Sequence, residues 1–189
     1  MGTLKKDFSY KVINNFLTED ELNICNKYLI MQHRSNTNSF DVRQLKSSTE
    51  DSFWYGDPLV ESILLLKRKK MEEETNLELI PTYGFSRVYT YLAVLDKHKD
   101  RPACEVSVTV MVGSSGEDWP IYMNNKKIIL KPGDAVVYHG TEVEHWREEF
   151  LGDWHSQFFL HYIDKNGPYN NLNLVADGRK LWGSPKNGS

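Results

Sequence analysis

The hydrophobic positions follow one period in the first part of the chain and another in the rest. Before about residue 75 they recur at helical spacing in two segments, among Lys, Glu, Asp and Asn. After residue 78 they form short runs separated by Gly, Pro, Asn and Ser. The pattern therefore predicts a helical N-terminal part followed by a β-rich core.

The first predicted helix follows a short strand-like run at 10–13. Thr18 and Glu21 have the spacing of a capping box, in which each side chain bonds the other residue's backbone N–H. Apolar residues then recur at helical spacing, so a helix is expected over 19–31. The polar stretch 33–52 predicts a loop with room for one short strand.

The second predicted helix begins after Asp57. Asp57 is a suitable N-cap, and Pro58 suits the first helical position because its missing N–H would have no intrahelical partner. The apolar residues that follow extend the helical pattern to about Glu74.

The later part of the chain reads as a series of short strands. They are predicted at 79–95, 104–112, 119–123, 126–130, 134–139, 142–148 and 154–163. Such strands preceded by two helices predict a mainly β fold with supporting helices, in the form of a double-stranded β-helix, the jelly roll of cupin-like proteins.

The whole chain, 1–189, is expected to form one domain. Residues 15–75 would support the β core at 79–163, and 164–189 would form an extended tail. The tail is rich in Asn, Gly, Lys and Pro, and Leu174, Val175 and Trp182 are expected to tether part of it to the body.

The amino-acid composition argues against some classes of binding partner. The chain has 189 residues and a net charge of −3, without the basic stripe of a nucleic-acid-binding protein. Its two cysteines make no disulfide framework, and its longest strongly apolar run, 63–66, is too short for a membrane span. The N-terminus lacks a signal-peptide core. These observations predict a cytoplasmic protein with no nucleic-acid or membrane partner.

Three residues form a candidate metal site. His98 and Asp100 stand two positions apart, and residues at that spacing on a strand share one face. His145, on a later predicted strand, would complete two histidines and one carboxylate, the ligand set of non-haem Fe(II) oxygenases. His139, at the end of an apolar run, is the rival for the distal ligand.

The order of several short motifs resembles the prolyl-4-hydroxylase-like branch of the Fe(II)/2-oxoglutarate dioxygenases. The resemblance covers roughly residues 15–163. It is carried by NFLTEDEL at 15–22, the block from Tyr89 to Asp100, PGDAVVY at 132–138 and FFLHY at 158–162. The family pattern places the distal ligand after the turn that follows 132–138, which favours His145.

The resemblance implies both a cofactor set and a reaction. Fe(II) would be held by His98, Asp100 and His145, with 2-oxoglutarate as co-substrate and O2 as oxidant. The reaction would hydroxylate a C–H bond and release succinate and CO2. A peptide or small molecule would be the substrate, with peptidyl proline or another amino-acid-like compound favoured.

The residues that would bind 2-oxoglutarate depart from the family pattern. The family usually supplies a basic residue about nine or ten positions after the distal histidine, where this chain has Trp154 and His155. Arg147, two residues beyond His145, and His155 are the two candidates to bind the distal carboxylate. The alternative for Arg147 is a surface ion pair with Glu148 or Glu149.

A tyrosine is the third candidate contact of the co-substrate. The resemblance gives that role to Tyr89, with Tyr91 as the substitute on a regular strand. Arg87, on the same face, would reach the substrate or pair with an acid. His161 is expected to be a buried structural histidine.

Two other functions are compatible with the sequence. The missing basic residue keeps open a cupin-type metal dioxygenase that does not use 2-oxoglutarate. If the His98–Asp100 pair were incidental, the chain would be a non-catalytic jelly-roll binding module. Residues 33–55 and 96–104 are the expected lid segments of an enzyme of this fold.

Overall fold

The computed structural model describes residues 9–35, 51–170, 173–180 and 182–183. This part of the chain contains two helices, α1 (Glu19–Ser35) and α2 (Pro58–Thr75). The strands are β1 (Tyr10–Ile13), β2 (Ser52–Tyr55), β3 (Leu79–Thr90), β4 (Leu95–His98), β5 (Val106–Ser114), β6 (Ile121–Met123), β7 (Lys126–Ile128), β8 (Ala135–His139), β9 (His145–Arg147) and β10 (Trp154–Asp164). Of the expected lid segment 33–55, residues 36–50 lie outside the described ranges.

The strands form two antiparallel sheets. The larger has the order β1-β8-β5-β10-β3-β2, and the smaller has the order β4-β9-β6-β7. From β3 onward the chain passes repeatedly between them, with β3, β5, β8 and β10 in one sheet and β4, β6, β7 and β9 in the other. This is a double-stranded β-helix, and the predicted fold class is confirmed.

The helices cover the outer face of the larger sheet. Alternate residues of its central strands, such as Val108 and Leu160, pack with Leu29 and Leu64 of the helices in one buried apolar cluster. Cys25 lies in the same cluster and is fully buried. The opposite face of these strands points between the two sheets, where the buried residues are largely polar or aromatic.

The predicted helix starts are confirmed by their hydrogen bonds. Thr18 and Glu21 exchange backbone-to-side-chain bonds of 2.8 and 3.3 Å. The Asp57 carboxylate accepts from the N–H groups of the second and third residues after it, and Pro58 is the first residue of α2. Because both helix caps involve residues within three positions of each other, they can be predicted from short stretches of sequence.

One predicted strand is divided. The run 79–95 ends as β3 at Thr90, and the N–H of Ala93 donates to the Thr90 carbonyl in a turn. Leu92 within this turn has a φ of 67°. The chain then enters the smaller sheet as β4.

The predicted extended tail is docked on the body. Residues 175–178 form a tight turn in which Ala176 and Asp177 have a left-handed backbone, with φ values of 48° and 52°. Asp177 accepts from the Tyr55 hydroxyl and pairs with Arg101, and Arg179 pairs with Glu61 of α2. Leu174 packs beside a buried cluster near β3, and Trp182 packs against the helical core. None of the described helices is long and apolar enough to cross a membrane.

Candidate metal centre

The smaller sheet brings the three predicted metal residues together. β4 and β9 pair so that His98 lies directly opposite His145, and the two ring centroids are 4.2 Å apart. The Asp100 Oδ1 atom lies 3.7 Å from the Nε2 atom of each imidazole. The ligand atoms of all three residues lie within 4.8 Å of one another. This separation is suited to one metal ion held by two nitrogens and one oxygen.

Asp100 reaches this position for a different reason from the one predicted. β4 ends at His98, so the two residues do not share a strand face. The chain beyond the strand is held by a 2.8 Å hydrogen bond from the Asp100 N–H to the Gly140 carbonyl. This contact with the end of β8 aims the carboxylate at the histidines.

Both imidazoles are oriented by the backbone. The Nδ1 of His98 lies 2.7 Å from the Asp96 carbonyl, and the Nδ1 of His145 lies 3.0 Å from the Val143 carbonyl. Each carbonyl accepts a hydrogen from Nδ1, which leaves the lone pair of each Nε2 directed at Asp100. Burial lowers the pKa of His145, which favours the neutral form that binds metals.

His139 lies outside this group. The preceding residue, Tyr138, points into the barrel, and its hydroxyl is 3.3 Å from His145 Nε2. Because neighbouring strand residues face opposite sides, His139 points away from the barrel interior. Burial lowers its pKa, opposed by the nearby acids Glu142 and Asp164.

A second polar group lies deeper in the barrel, around Trp119. Arg147 is 2% exposed, and its guanidinium lies 4.6 Å from the Trp119 ring and donates to the Trp119 carbonyl. The alternative of a surface ion pair for Arg147 is therefore wrong. His155 and Tyr89 face each other across β10 and β3, and both rings meet Trp119 edge-on, at 5.2 and 4.8 Å.

This second group contains buried atoms without hydrogen-bond partners among the described residues. They are Arg147 Nε, His155 Nδ1 and Gln157 Oε1. The Gln157 amide nitrogen lies 2.7 Å from His155 Nε2 and donates to it, so His155 Nδ1 carries the hydrogen. Two unsatisfied N–H donors, on Arg147 and His155, therefore belong to one buried group around Trp119, where an unmet donor is costly.

Only one of these side chains brings a positive charge. Burial lowers the pKa of Arg147 to about 10, so its guanidinium remains cationic at neutral pH. Burial and the neighbouring Arg147 hold the pKa of His155 well below its usual value, so His155 is neutral. Burial raises the pKa of Tyr89, whose phenol therefore stays protonated. The group has the donors and the net charge to bind a carboxylate.

Two of the residues considered with Tyr89 are placed elsewhere. Tyr91 lies beyond the end of β3 and is 56% exposed, so it cannot substitute for Tyr89 inside the barrel. Arg87 is buried and pairs with Asp51 through bonds of 2.5 and 3.2 Å. Of the two roles considered for Arg87, the structure therefore shows the pairing with an acid.

Several residues of the barrel interior were not predicted from the sequence. The main ones are Gln157 beside His155, Ser107 beside Asp100, and Trp119 at the centre of the second group. Of these, Ser107 has a signal in the sequence, because polar residues alternate with valines in Val106-Ser107-Val108-Thr109-Val110. On a strand buried on both faces, such alternation marks the side that faces a site.

Comparison with known proteins gives a result at the level of structure alone. No protein-family model matches the chain, and no curated protein matches its sequence. A crystal structure of a prolyl-4-hydroxylase from Pseudomonas putida has a TM-score of 0.67 at 16% identity, over 82% of this chain and 92% of that one. The fold is that of the 2-oxoglutarate oxygenases.

Two further solved structures were obtained with ligands. The viral collagen prolyl hydroxylase of Paramecium bursaria Chlorella virus-1, as a 2-oxoglutarate complex, has a TM-score of 0.63 at 12% identity, over 85% of this chain and 98% of that one. HygX of Streptomyces hygroscopicus, with nickel, 2-oxoglutarate and hygromycin B bound, has a TM-score of 0.64 at 12% identity, over 84% of each chain. The predicted resemblance is thus confirmed for the fold.

Proposed function

We propose that this protein is an Fe(II)/2-oxoglutarate-dependent dioxygenase that hydroxylates a C–H bond. The observation that carries the proposal is the convergence of His98 Nε2, His145 Nε2 and Asp100 Oδ1 at one end of a double-stranded β-helix. Both imidazoles already have the tautomer that metal binding requires. Solved structures with this fold include HygX, crystallised with nickel and 2-oxoglutarate, and a viral collagen prolyl hydroxylase in complex with 2-oxoglutarate.

His98, Asp100 and His145 would hold the metal. Two neutral imidazoles and one carboxylate suit Fe(II), and a three-residue ligand set leaves positions for other ligands. With Fe(II), 2-oxoglutarate and O2 bound, such a site oxidises substrate C–H to C–OH and converts 2-oxoglutarate to succinate and CO2.

Arg147 and His155 would bind the distal carboxylate of 2-oxoglutarate. The guanidinium supplies the charge, and the unsatisfied Arg147 Nε and His155 Nδ1 atoms supply two N–H donors. A buried carboxylate without such partners would be very costly. Tyr89, beside His155 across the sheet, would donate from its protonated hydroxyl. The positive charge would therefore come from Arg147 on β9. In the family pattern it comes from a basic residue at the position that Trp154 and His155 occupy here.

One wall of the barrel interior suits an apolar or ring-bearing substrate. Phe85 and Phe159 face the barrel interior, remain partly exposed, and pack with their centroids 5.8 Å apart. Some of the proteins with this fold are prolyl hydroxylases, and HygX was crystallised with hygromycin B. We propose peptidyl proline or another amino-acid-like compound as the substrate. The two buried free thiols, Cys25 and Cys104, fit a reducing compartment, which favours the cytoplasm.

The decisive experiment is anaerobic absorption spectroscopy of the Fe(II) protein during stepwise addition of 2-oxoglutarate. We expect a weak visible charge-transfer band that saturates at one equivalent, and no band in His145→Ala. Arg147→Met should raise the 2-oxoglutarate concentration needed for saturation by about 100-fold, from loss of a charged buried contact of about 3 kcal/mol. For Arg147→Lys, which keeps the charge, the 2-oxoglutarate concentration needed for saturation should lie between that of the wild type and that of Arg147→Met.

Each other outcome has a distinct meaning. Metal binding without the band would overturn 2-oxoglutarate dependence and favour a cupin-type dioxygenase. A wild-type protein that binds no Fe(II) would overturn the enzyme assignment and favour a jelly-roll binding module.

A further inference from the structure

The two oxygens of the Asp100 carboxylate have different surroundings. Oδ1 faces the two imidazoles, at 3.7 Å from each Nε2. Oδ2 is turned away from them and accepts a hydrogen bond of 2.7 Å from the Ser107 hydroxyl. A carboxylate that rotated freely could present either oxygen, so Ser107 limits which one faces the proposed metal.

Ser107 is in turn held by His161. The Ser107 Oγ lies 3.0 Å from His161 Nδ1 and 3.0 Å from the Cys104 carbonyl. A hydroxyl has one hydrogen, and the bond to a carboxylate is both shorter and stronger than one to a carbonyl. Ser107 therefore donates to Asp100, and His161 donates its Nδ1 hydrogen to Ser107. The chain of donors runs from β10 through β5 to the carboxylate.

Gly140 closes the space on the far side of this carboxylate. Its carbonyl accepts from the Asp100 N–H at 2.8 Å, and its own N–H donates to the Glu105 carbonyl at 2.9 Å. A Cβ atom at position 140 would lie 2.4 Å from Asp100 Oδ2 and 2.7 Å from Ser107 Oγ. The Asp100 carboxylate is therefore enclosed on the side opposite the histidines.

We propose that Ser107 and His161 are positioning residues that hold Asp100 Oδ2 and so present Oδ1 to the metal. The inference rests on the proposed function, because it assumes that His98, Asp100 and His145 bind a metal ion. It assigns to His161 a role beyond that of a buried structural residue. Neither residue is required to touch the metal or the substrate.

The first test compares two buried hydroxyl groups on one strand face. Ser107→Ala removes the hydroxyl beside Asp100, whereas Thr109→Val removes one that lies 3.5 Å from the Tyr138 hydroxyl and is not hydrogen-bonded to His98, Asp100 or His145. Mn(II) affinity is measured by calorimetry under anaerobic conditions. We expect Ser107→Ala to weaken binding about 10- to 100-fold and Thr109→Val to leave it at the wild-type value.

A spectroscopic measurement separates positioning from general loss of stability. The visible absorption of the Co(II)-substituted protein reports the coordination geometry. Ser107→Ala should change its bands because Asp100 can rotate, whereas Thr109→Val should retain the wild-type spectrum. Thermal unfolding of the metal-free proteins checks that each variant is folded.

The second test uses two substitutions of His161. Asn places a side-chain N–H close to the position of Nδ1, whereas Phe keeps a ring without a donor. We expect His161→Phe to weaken Mn(II) binding by severalfold and His161→Asn to retain most of the affinity. In the double variant Ser107→Ala/His161→Phe the loss should equal that of Ser107→Ala alone, because both residues act through one hydrogen-bond chain.

The outcomes distinguish this inference from the proposed function. If the wild type binds no metal, both fail. If wild-type binding depends on His145 but Ser107→Ala matches Thr109→Val in affinity and spectrum, the positioning role alone is overturned. Should Ser107→Ala fail to fold, equal affinities of His161→Phe and His161→Asn would overturn it.

Discussion

Glu105 is a buried acid behind the candidate metal centre. It is 4% exposed, and its carboxylate accepts a 2.8 Å bond from the Asp164 N–H. Burial raises the pKa of Glu105 from 4.5 to about 6, and the neighbouring Asp164 carboxylate acts in the same direction. The folded protein therefore binds the Glu105 proton more tightly than the unfolded chain does.

This raised pKa gives a pH dependence of stability with a definite sign. The contribution of Glu105 is fully present below pH 4.5 and is lost as the pH rises through about 6. Relative to Glu105→Gln, the wild type should lose about 2 kcal/mol of unfolding free energy over this interval. Urea unfolding at a series of pH values measures the difference.

The control for this experiment is Glu149→Gln, an exposed glutamate on the β9–β10 connection. Its unfolding free energy should follow the wild type across the same pH range. A Glu105→Gln profile parallel to the wild type would show that Glu105 ionises normally in the folded protein.

The second helix depends on a cap that also joins it to the first helix. Asp57 Oδ1 accepts from the N–H groups of Leu59 and Val60, at 2.9 and 3.2 Å. Its Oδ2 accepts from the hydroxyl of Tyr28 on α1. The helix ends at Asn76, whose left-handed backbone, with a φ of 57°, suits a C-cap asparagine.

Removal of the cap should destabilise the protein by about 2–3 kcal/mol in Asp57→Ala. About 1–2 kcal/mol comes from the lost N-cap and the rest from the lost hydrogen bond of the Tyr28 hydroxyl to the Asp57 carboxylate. Asp57→Asn keeps an acceptor for the helix N–H groups and should cost less than half as much. Equal losses in the two variants, measured by chemical unfolding, would contradict a capping role.

At the scale of the whole molecule, residues 173–180 connect distant parts of the fold. Asp177 joins β2, through Tyr55, to Arg101 next to the proposed metal ligand Asp100. Arg179 forms a buried ion pair with Glu61 of α2, and its guanidinium lies 5.1 Å from the Tyr55 ring. The C-terminal segment is thus part of the folded body near the candidate site.

Breaking the Arg179–Glu61 pair on one side should be costly because a charge is then left buried without its partner. Arg179→Met should lower the unfolding free energy by about 3–5 kcal/mol. In Arg179→Met/Glu61→Gln the buried charge is removed, and the Gln oxygen can still accept from the Gly183 N–H, so most of the loss should be recovered. A double variant no more stable than Arg179→Met would contradict this account.

Features that depend on neighbours in the sequence were predicted from the sequence alone. Both helix starts follow from residues close together in the sequence, Thr18 with Glu21 and Asp57 with Pro58. The series of short strands separated by turn residues, after two helices, indicated a jelly roll. The ligand candidates His98, Asp100 and His145 needed only residue type and order.

The tertiary structure decided what depends on residues far apart along the chain. Arg147 is buried because Trp119 covers it, and Asp100 is aimed by Gly140 after its own strand has ended. The structural preference of a residue among its sequence neighbours cannot predict such contacts, because they form only when the two sheets pack against each other. The sequence by itself determined the helix caps, the β class and the candidate ligands. The tertiary structure decided which polar residues share the interior of the barrel, since the hydrogen bonds among them join strands that the sequence keeps far apart.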